Sequence, residues 1–157
     1  MNLIRKTYGT TEVQITSFQS SKGITEYHIF FQQTDCMEDF HTQLQHIQDV
    51  YTRSVEELSG NPAAIFRRYF LSDVTNQTDE LMERERLFPY CALSIVQQAP
   101  MNGTKIALWA WLQTGMQTQV LPSGLFEAHH GAYGQLLGAN QCNSCLLYTS
   151  DAADDLT

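Results

Sequence analysis

Apolar positions along the chain follow two different periods. Glu12–Phe18 (EVQITSF) and Glu26–Gln32 (EYHIFFQ) are dense in β-branched and aromatic residues, and the Ser-Ser-Lys-Gly turn between them predicts a hairpin. From Asp35 the spacing changes, and Cys36/Met37, Phe40, Leu44, Ile47, Tyr51, Val55 and Leu58 recur three and four residues apart. That is one apolar stripe on an amphipathic helix of about six turns, with Asp35 as N-cap and Gly60-Asn61-Pro62 as the stop.

Ala63–Leu71 (AAIFRRYFL) is a strand by content and breaks at Ser72-Asp73. A second helix is predicted over Asn76–Leu87, with Leu81 near its middle and Pro89 just past its end. Ala92–Gln98 and Lys105–Gln113 are predicted strands turning at Pro100-Met101-Asn102-Gly103. The fold class is α+β, in the order β-β-α-β-α-β-β, with both helices on one face of a single mixed sheet. Ile29, Phe31, Ile95, Ile106 and Trp109 offer apolar residues on more than one side, so the second face needs a cover. A small two-layer domain with an apolar open face tends to oligomerise. After Gly115 the periodicity fades into Gly- and Pro-punctuated sequence, read as a linker.

A length of 157 residues suits one domain with a sizeable core, and 43% hydrophobic against 17% charged residues describes a globular chain. No apolar run approaches the roughly 18 residues of a membrane span, and MNLIRKTYG lacks the apolar core of a signal peptide. A cytoplasmic protein without a membrane partner is expected. Seventeen acidic and nine basic residues leave a net charge of −8, which repels phosphate backbones. Nucleic acid is therefore not an expected partner.

Cys36, Cys91, Cys142 and Cys145 are expected as reduced thiols. No motif ties a His or an acid to Cys91, which reads as a buried strand thiol. Cys142 and Cys145 have the spacing of half a metal or redox site but lack a second pair, so neither metal nor cofactor is expected. His41 and His46 do not share a helix face. Arg67 and Arg68 point to opposite faces of their strand. Either of them can serve a cleft that binds an acid, or pair with a carboxylate at the sheet edge. Trp109 and Trp111 flank Ala110 and so share one sheet face, suited to packing or to stacking an aromatic ring.

The element order, FRRYFLSDVTNQTDEL, Phe88-Pro89 and a closing hairpin resemble the RidA/YjgF family (endoribonuclease L-PSP-like) over roughly Glu12 to Leu112. The resemblance implies a chorismate-mutase-like fold, a homotrimer with small-molecule clefts between subunits, and hydrolysis of enamines and imines derived from amino acids. In that family a Pro-x-Arg at the start of the penultimate strand holds the substrate carboxylate, since a guanidinium fork matches that anion. A Glu on the last strand helps position water. Here Pro89 matches the proline, Cys91 stands at the arginine position and Trp109 lies near the glutamate position. The catalytic residues are thus unassigned, and Arg67, Arg68, Tyr90, Cys91 and Trp109 are the ligand-binding candidates. A neutral cleft gives a substrate carboxylate nothing to replace its hydration, which argues against the family's usual chemistry.

SIVQQAP, NGTKIALWAWL and HHGAYGQLL resemble the first half of chorismatase-type proteins, longer chains with two RidA-like halves that act on chorismate. This implies a RidA-like domain over residues 1–115, and a linker or the start of a missing second half over 116–141. CLLYTSDAADDLT resembles a translated sequencing-adaptor tail, which implies non-native sequence over 142–157. The expected function is a degenerate N-terminal half of a truncated chorismate-transforming enzyme, weak or inactive alone, that trimerises or pairs with its second half. The alternatives are a stand-alone enamine/imine deaminase and a non-catalytic trimeric module that binds a small acid.

Overall fold

The computed structural model describes residues 1–129 and the backbone of 135–139. β1 (Asn2–Tyr8), β2 (Thr11–Gln19), β3 (Thr25–Gln33), α1 (Phe40–Glu56), β4 (Ala63–Leu71), α2 (Val74–Glu85), β5 (Ala92–Gln97) and β6 (Ile106–Gln113) form the main α+β unit. The sheet is mixed, in the order β1-β2-β3-β6-β4-β5, and β4–β5 is its parallel pair.

Alternation along the central strands builds the core. Tyr27, Ile29 and Phe31 of β3 and Ile106, Leu108, Ala110 and Leu112 of β6 are buried on one face. They share a single cluster with Leu44, Ile47 and Tyr51 of α1, and with Val74 and Leu81 of α2. Both helices therefore cover the same face. Each fully buried Leu, Ile or Phe adds about 1.5–3 kcal/mol of transfer free energy. Asp39, rather than Asp35, caps α1 by accepting from the Thr42 amide at 2.8 Å. Asp35 instead accepts from the Met37 amide at 2.9 Å, closing a local turn ahead of the helix. α2 likewise starts earlier than its apolar spacing suggests, capped by Asp73.

The expected strand order needs two corrections. β1 precedes the predicted hairpin and carries no buried side chain, so no apolar pattern announces it. Its strand character comes from backbone pairing with β2, from Asn2↔Ser17 to Tyr8↔Thr11. Secondly, β5 and β6 do not pair as a hairpin, because β4 lies between them. The Gln98 amide bonds the Leu71 carbonyl and the Ser72 amide bonds the Lys105 carbonyl, both at 3.0 Å, so the connector straddles the end of β4. β6, with Ala107 and Leu108 both buried, is apolar on two faces and takes a central place.

The segment read as a linker also has structure. β7 (Gln117–Val120), β8 (Leu125–His129) and β9 (Gln135–Ala139) form a three-stranded antiparallel sheet. Phe126 and Ala128 bury themselves against Ile65, Cys91 and Ala92, flanked by Phe66, Trp111 and Met116. Ile65 sits where the β4–β6 register shifts between Ala64 and Phe66. The small sheet thus covers one corner of the main sheet's second face.

Candidate functional site

Along α2 the buried positions Val74, Gln77/Thr78, Leu81 and Glu85 recur every three or four residues. The stripe that anchors the helix therefore ends by pushing a carboxylate into the core. Across from it, Arg67 projects from the core face of β4 and is only 2% exposed. Its Nε donates to Glu85 Oε1 at 2.9 Å and its Nη2 to Glu85 Oε2 at 2.7 Å. Nη1 donates to the Tyr51 hydroxyl at 3.1 Å, and Nη2 also reaches the Pro89 carbonyl at 3.2 Å. These bonds engage four of the five N–H groups of a guanidinium. The Tyr69 hydroxyl completes the network by donating to Glu85 Oε1 at 2.6 Å.

Electrostatics follow from this enclosure. Burial opposes the Arg67 charge, but the surrounding Tyr51, Cys91 and Glu85 outweigh it and hold its pKa well above the ordinary value. Burial, followed by the nearby Glu85 charge, pushes the Tyr69 phenol well above its usual range. Burial raises Tyr51 as well. The network sets a guanidinium against a carboxylate, with all but one of the guanidinium N–H groups engaged.

Two clefts meet at this network. One, of about 310 Å³, lies among Arg67, Met82, Glu85, Arg86, Phe88, Tyr90, Cys91 and Leu93. The other, of about 410 Å³, lies among Tyr51, Val55, Pro62, Leu112 and Met116 and also reaches Arg67. Phe88-Pro89-Tyr90 borders both, forming a strap between them.

The five candidates from the sequence divide into two groups. Arg67, Tyr90 and Cys91 line the first cleft together. Cys91 is buried and its thiol donates to the Ala92 carbonyl at 3.3 Å. Arg68 and Trp109 are paired across β4 and β6 on the opposite sheet face. There Arg68 Nε bonds Ser94 Oγ at 3.3 Å, with its guanidinium 5.3 Å from the Phe66 ring. Trp109 stacks on His28 at 5.7 Å and lies 5.4 Å from Phe66. The neighbours of Trp109, Leu108 and Ala110, are wholly buried in the core. Cys91 and Trp109 thus do not line one cleft together.

Sequence reasoning passed over Glu85, Tyr51 and Arg86. A Glu in register with the apolar stripe of α2 was the available signal, because a buried carboxylate requires a buried cation. Glu80 and Arg84, four residues apart on α2, both reach across to α1, where Glu80 bonds His41 and Arg84 bonds Gln48 at 2.6 Å. Among the described residues no group of three or more His, Cys, Asp or Glu is placed to hold a metal. Cys142, Cys145 and His130 lie outside the described residues. No described helix is long and apolar enough to cross a membrane.

No protein-family model matches the chain, and neither does a curated protein or a solved structure.

Proposed function

We propose that this chain is a degenerate RidA-like domain, the supporting N-terminal half of a chorismate-transforming protein, and that alone it does not hydrolyse anionic imines. One observation carries the reading: both carboxylate oxygens of Glu85 occupy the fork of Arg67. A guanidinium already matched in this way has no bidentate face left for a substrate carboxylate. Cys91 offers a buried thiol in its place, and Trp109 offers an indole on the other side of the sheet.

The mixed sheet with both helices on one face is compatible with that family's architecture. The second face, with Phe18, His28, Phe30, Phe70 and Trp109, is the surface that a homotrimer or a second half would cover. The test is hydrolysis of an imine generated from 2-aminoacrylate. The purified chain should leave the buffer rate unchanged, whereas acceleration that disappears in Arg67→Gln would overturn the reading.

The clefts favour a second role, retention of a small acid without turnover. Volumes of about 310 and 410 Å³ with largely apolar walls fall in the range of small-molecule sites.

A further inference from the structure

The first cleft contains a cation that the protein leaves unengaged. Arg86, the C-cap of α2, is exposed and lines the cleft that has Arg67 and Glu85 in its wall. Arg5, Arg53, Arg67, Arg68 and Arg84 each donate a side-chain hydrogen bond. Among the described residues the Arg86 side chain makes no hydrogen bond or ion pair; only its backbone N–H is engaged, by the Arg84 carbonyl. Of the three charged residues that line the cleft, Arg67 and Glu85 pair with one another, which leaves Arg86 as the third. A positive cleft on a chain of net charge −8 is a local exception.

The walls define the rest of the ligand. Met82, Phe88, Pro89 and Leu93 are apolar, and the Tyr90 ring stands 55% exposed at the mouth. We propose that this cleft binds a small organic acid with an apolar or aromatic body, its carboxylate on the Arg86 fork and its body against Met82, Phe88 and Leu93. A planar fork meets a carboxylate through two parallel bonds, and the apolar walls take the ring out of water. Arg67 acts from below as a positioning residue, holding Glu85 so that the carboxylate of α2 does not repel the ligand. The proposal rests on the small-acid reading above and adds its anchor and ligand class.

Calorimetric titration of the intact chain with benzoate tests it, with benzamide as the uncharged counterpart. Benzoate should bind, benzamide should bind at least about tenfold more weakly, and Arg86→Gln should weaken benzoate by a similar factor. Arg86 is exposed, so the variant should retain its circular dichroism spectrum and melting temperature. Absence of benzoate binding, or equal affinity in Arg86→Gln, overturns the proposal. A cation serving only the helix end would give that equal affinity. Imine hydrolysis is a separate readout: a chain that binds benzoate yet hydrolyses the imine defeats the non-hydrolytic reading and leaves this one standing.

Discussion

Arg67 and Glu85 lie 18 residues apart in sequence and meet through two hydrogen bonds of 2.9 and 2.7 Å, with both side chains withdrawn from water. The pair fastens the C-terminal end of α2 to β4, and Tyr51 ties α1 to the same guanidinium. It is a three-element lock at the wall of a cleft.

Breaking one side of this lock strands the other charge. Arg67→Met and Glu85→Leu should each lower unfolding free energy, the arginine variant by about 3–5 kcal/mol because it leaves a buried carboxylate without its cation. Arg67→Met/Glu85→Leu should cost clearly less than the two single changes summed, since no charge is left behind. Urea unfolding of the four proteins measures the coupling, and strict additivity would refute the lock.

Stability should fall on the alkaline side. Tyr69 and Tyr51 have raised pKa values in the folded state, chiefly through burial. Their contribution is complete below the unfolded value near 10 and is lost as pH rises through the folded values. Unfolding free energy measured from pH 8 to 12 should decline above about 10, and Tyr69→Phe should make that decline shallower.

An acid limb arises elsewhere. Hydrogen bonds from Thr42 depress the pKa of Asp39, and bonds from Tyr8 and Lys6 depress that of Glu57. Their contributions are present above the unfolded values of 3.8 and 4.5 and fade as pH falls through the folded ones. Asp39→Asn should flatten the melting-temperature profile below about pH 5, where a carboxylate lowered by its partners begins to matter.

Cys91 reports whether the small sheet stays docked. It is 1% exposed beneath Phe126, whereas Cys36 is exposed. A thiol reagent followed by peptide mass spectrometry should label Cys36 much faster than Cys91. Phe126→Ala, which removes a ring buried in the cluster around Cys91, should accelerate labelling at Cys91 and leave Cys36 unchanged. An unaltered Cys91 rate would mean that Phe126 does not shield it.

Much of the fold was legible because periodicity records which faces meet water. The α1 stripe from Phe40 to Val55, the strand Ala63–Leu71 and the shared face of Trp109 and Trp111 all follow from period 3.6 or 2. So does the divergence of Arg67 and Arg68. β1 was not legible, because only Tyr8 at its end is half-buried and its pairing rests on backbone bonds that side-chain pattern does not encode. Nor was the seating of β6 between β3 and β4, since a short connector fits a hairpin as well as a step across β4.

The site divides along the same line. Sequence alone determined that residue 91 is a thiol and residue 109 an indole, and that a guanidinium stands at residue 67. Tertiary structure decided that Arg67 spends its fork on Glu85, that Trp109 faces away from the cleft, and that Arg86 stands at the cleft unengaged. Local spacing determines which way a side chain points, whereas the partner it meets depends on how distant elements cross, and that crossing is set by the packing of the whole core.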